Sequence, residues 1–593
     1  MKKSIFFDVE CYPNYFLAAF MNAEGETHNI QILNDNKIDP TSVGELESIL
    51  DRYQLIGFNS KNYDIPMIML ALKGWSTSEL KKASDLIIER RLMYWQTMQV
   101  YNIRDPNCDH IDLINVLRGL HGLKKYAANL GYETIEDLPY SPDRILSLAE
   151  CHHVRDYCIN DLKITRFLFN HAKDRIDLRS KITKTDDYRS LSDAQIAEKI
   201  IRQKLGIQKP NTVFENVFKY QCPEFLAFNT PELSEYLQEL KTTTYPMQLV
   251  RSGAKTNPLI RKASLFNNSY KLGAGGLHSQ EKGRTVRSCA EYRIIDIDVT
   301  SYYPMIILNN EFTPKHLGSK FLTVYKQLVN DRIAAKNSKD DPDQAVFEKA
   351  FKIVINGIFG KFGSKYSAVF SESLLLNVTL TGQLSLLMLI EMLESEGVEV
   401  LSANTDGVTC RVPTALLDKF RSVYGQWEEL TGFNLEETAY KVLCNLNVNS
   451  YFAVLENGDV KTKGAVFSPF DESSTPSGKI IGDAVIAHIK DNIPIDHYIK
   501  SRLSIGNIKE FLFVRSVSGG CKYGERSLGK VARFYWSRSS DQCIAYCKNN
   551  NKVPRSDNSR PLLDIRELKS VDDIDLDRYV EAAYKILEEL KNV

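Results

Sequence analysis

Short apolar runs that end on an acidic residue recur along the chain, and helical patterns separate them. Residues 294–304 read Ile-Ile-Asp-Ile-Asp-Val-Thr-Ser-Tyr-Tyr-Pro. This pattern predicts a β-branched strand ending on Asp298, then a tight turn with a hydroxyl and two aromatic rings, stopped by proline. A second predicted strand at 398–403 leads into Asn-Thr-Asp-Gly, which places Asp406 just after its end. The chain therefore predicts two isolated carboxylates at the ends of two strands.

Helical periodicity fills most of the interval between these strands. Residues 317–336 and 343–362 have helical spacing and are separated by a polar turn, which predicts an antiparallel helical hairpin. Residues 371–397 predict one long apolar helix, and 446–467 a β-hairpin that turns at Glu456-Asn-Gly-Asp459. A loop and hairpin at 251–287 lead into the strand that ends on Asp298.

Strands and helices interleave over the first 175 residues, which predicts an α/β domain. Residues 176–190 are polar and predict a linker or the start of an exposed helix. The last hundred residues alternate helices with a basic, aromatic strand pair. A chain of 593 residues is too long for one hydrophobic core, so several domains are expected.

Composition narrows the class of protein only a little. Apolar content of 43% and charged content of 25% are ordinary for a globular protein, and the net charge is zero. No run of roughly 20 uncharged apolar residues predicts a membrane span. Asp8 and Glu10 interrupt the start too early for a signal peptide. The 11 cysteines are odd in number and lack a Cys-x-x-Cys pair, which favours free thiols and a cytoplasmic protein.

The strand-end aspartates suit a site for two divalent metal ions. Such a site needs carboxylates that converge on ions about 4 Å apart, and Mg²⁺ takes the rest of its shell from phosphate and water. The predicted helical hairpin adds Arg332 and Lys336 on one helix face, and Lys352, Asn356 and Phe359 on a face of the other. Three cations and an amide could hold a triphosphate. A solvated pair of charged helices is the alternative interpretation of the same residues.

A second group of acids lies near the N-terminus. Asp8 and Glu10 share one face of a predicted strand because side chains alternate along a strand. Alone, this pattern is typical of solvent-facing acids. Asn59-Ser-Lys-Asn-Tyr-Asp64 and the helical pair Tyr157 and Asp161 follow at intervals. Four carboxylates and a tyrosine in this order suggest a metal-dependent nuclease site, whereas Asp112 is interpreted as an ordinary structural acid.

Taken in order, the motifs resemble those of family B DNA polymerases. Asp-Val-Thr-Ser-Tyr-Tyr-Pro at 298–304 is similar to motif A, and Lys-Ile-Val-Ile-Asn-Gly-Ile-Phe-Gly at 352–360 is similar to motif B. Asn-Thr-Asp-Gly at 404–407 resembles motif C, and Lys-Thr-Lys-Gly at 461–464 resembles a later basic motif that grips the primer-template. The acids of the first 161 residues resemble the three Exo motifs of DnaQ-like 3′→5′ exonucleases, which have an RNase H-like fold.

This resemblance implies a fold class and a set of domains. The fold class is multidomain α/β and α+β, with an RNase H-like exonuclease domain followed by a right-hand polymerase of palm, fingers and thumb. The implied domains are the exonuclease at 1–175, a linker and the start of the palm region at 176–290, palm with motif A at 291–316, the fingers hairpin with motif B at 317–370, palm with motif C and Lys-Thr-Lys-Gly at 371–489, and thumb at 490–593.

The resemblance also implies roles for individual residues. At the polymerase site Asp298 and Asp406 would hold metal with the carbonyl of Val299, and at the nuclease site Asp8, Glu10, Asp64 and Asp161 would hold two metals. Tyr303 would pack under the sugar and reject a 2′-hydroxyl. Tyr157 would orient the attacking water. The implied triphosphate and nucleotide contacts are Arg332, Lys336, Lys352, Asn356 and Phe359, and the implied DNA contacts are Asn59, Tyr270, Gly275, Gly276, Tyr451, Lys461 and Lys463. Both sites would use two Mg²⁺ ions, with Mn²⁺ as a substitute.

Three positions depart from the family pattern. Asn404 stands where motif C usually has its first Asp, which lowers the local charge. The Gly-rich segment that starts at Tyr270 is longer than the usual Tyr-x-Gly-Gly. Asn449-Ser-Tyr451 replaces the Lys-x-Tyr common in related phage enzymes. Phe359 also takes the place of the usual Tyr of motif B, which removes a hydroxyl and keeps the ring.

The C-terminal strand pair interleaves cations with aromatic residues. Cations that neutralise phosphates suit a thumb that grips duplex DNA, and a charged surface over a small aromatic core is the alternative. Both hold if the rings point inward and the cations outward. The cations assigned to DNA are Lys522, Arg526, Lys530 and Arg533.

Motif spacing predicts the subtype and its partners. Asp8 comes too early for a preceding domain, which is typical of a compact bacteriophage-type enzyme. The intervals from Asp298 to Lys352 and from Gly360 to Asp406 leave no room for the insertions of protein-primed relatives. We therefore expect a monomeric, nucleic-acid-primed enzyme in the bacterial host cytoplasm, with primer-template DNA, dNTPs, a single-stranded 3′ end, a replicative helicase and a single-strand-binding protein as partners and no membrane. The alternatives are an exonuclease with an inactive or specialised palm, a protein-primed polymerase, and a non-catalytic replication scaffold.

Overall fold

The chain folds into two compact units. The computed structural model describes residues 2–182, 187–208, 212–251, 256–266, 268–273, 275–338 and 341–591, so residues 183–186 of the predicted linker lie outside the described residues. The first unit comprises Met1–Ser192, Ser468–Ile480 and Ile499–Tyr579, and the second comprises Asp193–Phe467, Ile481–Tyr498 and Val580–Val593.

The N-terminal part of the first unit is a mixed sheet covered by helices. Its strands are β1 (Lys3–Tyr12), β2 (Tyr15–Asn22), β3 (Thr27–Leu33), β4 (Tyr53–Gly57) and β5 (His110–Asp112), and its helices are α1 (Pro40–Arg52), α2 (Asp64–Leu72), α3 (Thr77–Arg90), α4 (Tyr94–Val100), α5 (Leu123–Asn129) and α6 (Leu148–Ile182). The strand order is β3-β2-β1-β4-β5. The first three strands pair antiparallel, and β4 and β5 add parallel to β1.

Alternation along β1 sorts its side chains between two layers. Phe7 and Val9 belong to the core cluster that the sheet forms with α1, α2 and α3. Phe6 points to the other side, where its ring meets that of Phe169 on α6 with centroids 5.7 Å apart. Asp8 and Glu10 therefore face the α6 side of the sheet.

Helix α6 continues through the boundary predicted at residue 175. Its last turns bury Ile176 and Arg179, which are 4% and 2% exposed. Arg179 Nε donates to the carbonyl of Leu191 at 2.9 Å. The prediction of a linker that starts at residue 176 is wrong, because a buried face hidden among polar residues keeps the helix packed.

The second unit contains the larger sheet and a helical hairpin. Its elements, up to residue 467, are α7 (Asp193–Leu205), β6 (Val217–Lys219), α8 (Pro231–Thr242), β7 (Thr244–Pro246), α9 (Met247–Val250), β8 (Arg261–Leu265), β9 (Asn268–Leu272), β10 (His278–Ser279), β11 (Arg284–Arg287), β12 (Tyr292–Val299), α10 (Tyr302–Asn309), α11 (Ser319–Asn337), α12 (Pro342–Lys361), α13 (Glu372–Ser395), β13 (Glu399–Ala403), β14 (Gly407–Pro413), α14 (Leu417–Thr431), β15 (Leu435–Asn447), β16 (Ser450–Leu455) and β17 (Val460–Lys463). The main sheet has the order β13-β14-β12-β15-β16-β17, and β11 also pairs with β15.

Helix α13 is the buried core helix of the second unit. Among the described residues it is the one helix long and apolar enough to cross a membrane by length and composition, and 89% of its apolar window is buried. Trp427 Nε1 donates to the carbonyl of Ser385 at 2.9 Å, and Tyr302 Oη donates to that of Gly382 at 2.6 Å. Through these bonds α13 supports α14 and the turn after β12.

Several predicted elements are confirmed. The predicted helical hairpin is α11 and α12, the long apolar helix is α13, the hairpin within 251–287 is β8 and β9, and the turn after Glu456 joins β16 to β17. All 11 cysteines are free, as their number and spacing predicted.

The C-terminal part of the chain returns to the first unit. The remaining elements are α15 (Lys479–Asp491), α16 (Ile495–Arg502), β18 (Phe513–Tyr523), β19 (Arg526–Trp536), β20 (Ala545–Tyr546), β21 (Ser559–Pro561) and α17 (Leu576–Lys591). The sheet order is β20-β18-β19-β21. The predicted inward rings are confirmed, since Phe534, Tyr535 and Trp536 are at most 6% exposed. The assignment of residues 490–593 to a thumb stays a prediction.

Candidate functional sites

The two strand-end aspartates of the second unit lie side by side. Strand β12 lies between β14 and β15, and Asp298 is directly opposite Gly407. The backbone N–H of Val299 donates to the carbonyl of Asp406 at 2.7 Å. Antiparallel pairing thus brings the end of β12 to the turn before β14, which places Asp298, Val299 and Asp406 at one edge of the sheet.

The electrostatics of this edge disfavour two bare carboxylates. Burial, together with the charges of Asp296 and Asp406, raises the pKa of Asp298 to about 6, although Lys461 opposes the shift. Burial also raises the pKa of Asp406, against the lowering effect of Lys463. Carboxyl groups that lose charge when buried beside one another gain most from a divalent cation. Oxygen donors of this kind suit Mg²⁺.

A buried polar network that the sequence analysis missed supports Asp298. Asp296 is 5% exposed. Its carboxylate accepts hydrogen bonds from Thr409 Oγ1 at 2.6 Å and from Tyr440 Oη. Lys461 Nζ lies 3.2 Å from Asp296 Oδ2 and 3.8 Å from Asp298 Oδ2. Asp296 precedes Asp298 by two residues, so strand alternation was the signal that could have placed both on one face.

The helical hairpin reaches the same edge through its cations. Ser301 adopts a left-handed backbone with φ of 53° in the turn after β12, and Arg332 Nη1 donates to its Oγ at 2.9 Å. Arg332 also pairs with Glu348 at 3.3 Å. Lys336 Nζ lies 3.4 Å from Glu436, a residue opposite Asp298 that the sequence analysis did not single out.

An aromatic pair closes this region from the other side. The ring of Tyr303 stacks on that of Phe359 with centroids 4.1 Å apart and planes 20° apart. Lys352 and Asn356 are exposed on the same helix as Phe359. Tyr303 is thereby held by a residue of α12, while Lys352 and Asn356 remain open to a ligand.

The turn before β14 packs against the Gly-rich segment. A Cβ on Gly276 would overlap the side chain of Thr405. The side-chain amide of Gln383 donates to the carbonyls of Gly273, at 2.8 Å, and Gly275. Asn404 Oδ1 accepts the backbone N–H of Asp406 at 3.4 Å, so this residue shapes the turn.

Tyr270 does not contact DNA as predicted. It is 0% exposed and lies within the β8-β9-β10 sheet. Its ring faces the interior of the unit because β9 turns that face toward the core. By contrast, Tyr451 and Lys463 are paired across β16 and β17, with Lys463 Nζ 6.0 Å from the ring centroid. These two residues and Lys461 therefore lie on one strand pair near the aspartates.

The four acids of the first unit also come together. Asp8 and Glu10 project from β1, Asp64 begins α2, and Asp161 lies on α6. They line one cavity of about 600 Å³, and Asn59 lies on its wall. Ligand atoms of Asp8, Glu10 and Cys158 lie within 4.8 Å of one another. Sheet and helices thus bring residues 153 positions apart into one acidic cavity.

This cavity has the properties of a divalent-metal site. Burial raises the pKa of Asp8 to about 6. Burial and the charge of Asp8 raise the pKa values of Glu10 and Asp64 well above their usual range. The Oδ1 atom of Asp64 is buried and has no hydrogen-bond partner among the described residues. A hard cation would satisfy that oxygen and the clustered charge, so the residues fit two Mg²⁺ ions.

Lys124 is a further residue of this site, and the sequence analysis missed it. Its ammonium forms an ion pair with Asp161 and lies 4.4 Å from the centroid of the Tyr157 ring. Burial lowers the pKa of Lys124 to about 8, although Asp8 and Glu10 oppose the shift. Two adjacent lysines within an otherwise apolar helix pattern were the available signal.

Asp112 is a structural acid, as interpreted from the sequence. It is 2% exposed, and its carboxylate accepts the backbone N–H groups of Asn59 at 2.8 Å and Lys61 at 3.1 Å. Asn59 needs this support because its φ is 57°, in the left-handed region. Asp112 therefore fixes the loop that carries Asn59.

The C-terminal cations divide into two groups. Arg526 and Lys530 are exposed and Lys522 is half-buried. Arg533 is 0% exposed, and its guanidinium donates to the carbonyls of Tyr132, Glu133, Leu562 and Leu563. The prediction that Arg533 contacts DNA is wrong, because every direction of its planar fork is used inside the unit.

Comparisons with known proteins add little to this geometry. The chain is similar to the solved structure of the family B DNA polymerase from the hyperthermophilic archaeon Pyrobaculum calidifontis. Identity is 12% and the TM-score is 0.44, over 100% of this chain and 78% of that one. No family model matches the sequence, and no curated protein matches it. A likeness at this level carries no argument about function, so the function is argued from the sites.

Proposed function

We propose that the protein is a template-directed DNA polymerase with a 3′→5′ proofreading exonuclease. The observation that carries the proposal is the convergence at the end of β12, where Asp298 meets the turn of Asp406. The cations of α11 and the Tyr303–Phe359 stack reach the same place. Paired carboxylates beside a cationic helix pair suit transfer of a nucleotide from a triphosphate.

In this proposal each side chain has a defined task in synthesis. Asp298 and Asp406, with the carbonyl of Val299, would hold two Mg²⁺ ions, which when bound activate the primer 3′-hydroxyl and stabilise the departing pyrophosphate. Arg332, Lys336, Lys352 and Asn356 would bind the triphosphate. Tyr303, stacked on Phe359, would occupy the volume needed by a 2′-hydroxyl. Lys461, Lys463 and Tyr451 would contact the primer-template.

The acidic cavity of the first unit would remove mispaired 3′ ends. Asp8, Glu10, Asp64 and Asp161 would hold two metal ions, whose chemistry is activation of water at the terminal phosphodiester. Asn59 would contact the single-stranded end. Lys124 holds Asp161 by its ion pair and places its charge over the Tyr157 ring. The sheet order β3-β2-β1-β4-β5, three antiparallel strands followed by two parallel ones, supports an RNase H-like nuclease.

The cellular setting is proposed from motif spacing. The short intervals around motifs A, B and C favour extension of a nucleic-acid primer by a compact phage-type enzyme in the bacterial cytoplasm. A replicative helicase and a single-strand-binding protein would then supply the template strand.

Primer extension with Mg²⁺ and dNTPs on a recessed template tests the proposal. Asp298→Ala should abolish extension and leave digestion of the 3′ end, and Asp8→Ala should do the reverse. Loss of both activities from one substitution in a folded protein would contradict two separate sites. Digestion without any extension by the wild type would favour the exonuclease with a specialised palm. Efficient extension from a protein hydroxyl would favour protein priming.

A further inference from the structure

The first unit contains a second cavity, of about 460 Å³, beside the acidic one. Helices α5 and α6 form one wall, and the β18–β19 hairpin forms the other. The lining residues used below are Lys124, Lys125, Asp137, Ser516, Ser518 and Lys530. Leu123 and Asp161 line both cavities. A volume of this size is typical of a small-ligand site.

Lys125 is an uncompensated cation on this cavity. The residue is 5% exposed, and its Nζ is buried with no hydrogen-bond partner among the described residues. The charge that reaches it is another cation, Arg515, and burial with this repulsion lowers the pKa of Lys125 to about 7. A buried ammonium without a partner is costly, so the native fold leaves a strong donor unused here.

The acids on the cavity wall are already engaged. Asp137 accepts the backbone N–H groups of Leu138 at 2.9 Å and Lys530 at 3.0 Å, one with each carboxylate oxygen. Asp161 is paired with Lys124. The side chain of Lys530 is exposed, and no ion pair involves it among the described residues. The cavity therefore combines free cations with the hydroxyls of Ser516 and Ser518.

We propose that this cavity binds a phosphate group, which Lys125 and Lys530 hold with the hydroxyls of Ser516 and Ser518. The inference rests on the proposed exonuclease, because the shared wall at Leu123 and Asp161 joins the cavity to the acidic site. Two sources supply the same chemistry there: a backbone phosphate of the strand being digested, and the 5′-phosphate of the released nucleoside monophosphate.

The test uses the full chain and begins without catalysis. Calorimetric titration with inorganic phosphate in EDTA should show binding to the wild type. Lys125→Met should weaken it at least about tenfold, the loss expected for one charged hydrogen bond. Lys530→Met should weaken it as well, and its exposed position keeps the fold intact if Lys125→Met fails to fold. Lys173→Met, which removes an exposed lysine of α6, is the matched control and should bind like the wild type.

Digestion of a single-stranded oligonucleotide then separates the two sources. A raised KM with unchanged kcat in Lys125→Met assigns the phosphate to the strand. A raised inhibition constant for a deoxynucleoside 5′-monophosphate assigns it to the product. Wild-type phosphate affinity in folded Lys125→Met and Lys530→Met, or no binding by the wild type, overturns the site. Lost phosphate binding in a protein that digests no DNA would instead refute the exonuclease and leave the site standing.

Discussion

Asp298 and Gly407 face each other across β12 and β14, and the Asp298 carboxylate fills the space that a side chain on residue 407 would need. Gly407→Ala should therefore push the carboxylate away from Asp406. We expect primer extension to fall by about 100-fold, the usual cost of misplacing a reacting group by 1 Å. Exonuclease activity should stay unchanged.

Single-turnover extension and 3′-end digestion measure the two effects of Gly407→Ala. Gly425→Ala is the control, since a Cβ there meets open space on α14. Equal extension rates for the two variants would show that the position of Asp298 does not limit synthesis.

Asp296 positions its neighbour through Lys461. Asp296→Asn should weaken the hold on the Lys461 ammonium, which lies within 4 Å of both aspartates. We expect kcat of extension to fall by about tenfold, with a smaller change in the KM for dNTP. Tyr440→Phe, which removes one donor to the same carboxylate, should have a weaker effect. Glu456→Gln on the exposed β16–β17 turn should change neither constant, and a purely raised KM for Asp296→Asn would argue against positioning.

The Tyr303–Phe359 stack should determine sugar discrimination. Tyr303→Ala should raise the ratio of kcat/KM for ribonucleotides over deoxynucleotides by about 100-fold, because the volume excluded to a 2′-hydroxyl opens. Phe359→Ala should raise the ratio less, since it removes only the support 4.1 Å away. Tyr366→Ala removes a ring that is 76% exposed and serves as the control. Unaltered discrimination in Tyr303→Ala would remove this residue from the nucleotide site.

Metal-free protein should be destabilised by its own acids as the pH rises. Asp8 has a pKa of about 6 in the folded state and an ordinary value of 3.8, so the folded state binds a proton that the unfolded state has released between these values. The free energy of unfolding therefore falls as the pH rises through about 4 to 6 and stays lower above it.

Asp8→Asn should remove that cost. In EDTA at pH 8 we expect the free energy of unfolding to rise by the order of 1–3 kcal/mol, with the gain vanishing near pH 4. Mg²⁺ should stabilise the wild type more than this variant. Thermal unfolding across pH measures both, and the exposed Asp51→Asn is the control. A gain that is independent of pH would rule out titration of Asp8 as its cause.

Arg533 and Arg526 should differ in kind although they lie on the same strand. Arg533→Met leaves four backbone carbonyls without their donor and should lower the free energy of unfolding by about 3 kcal/mol or more. Arg526→Ala should leave stability unchanged and weaken DNA binding, with a shallower salt dependence. Chemical denaturation and binding titrations at several salt concentrations compare them. A stable Arg533→Met with weakened DNA binding would restore the original sequence-based assignment.

Strand and helix patterns predicted most of what positions the candidate sites. Asp298 and Asp406 were expected to converge because each ends a predicted strand, and antiparallel pairing of β12 with β14 brings them together. The helical spacing of Arg332 and Lys336 likewise predicted one shared face, and both reach the same sheet edge.

The errors arose where burial depends on distant segments. Arg533 looked like a surface cation because the carbonyls it binds come from residues 132–133 and 562–563, which nothing local reveals. Tyr270 looked like part of a loop because its segment is rich in glycine, yet three paired strands enclose it. Lys124 has no motif of its own, and only the fold brings it to Asp161.

The buried guanidinium of Arg533 has a consequence for how the molecule is made. It bonds to Tyr132 and Glu133, about 400 residues earlier in the chain, so the nuclease-like half emerges from the ribosome long before its last wall exists. The first part to be translated is thus among the last to be completed. A chain stopped before residue 533 would leave the peptide carbonyls at 132 and 133 bare, which makes full-length synthesis itself the step that finishes the amino-terminal unit.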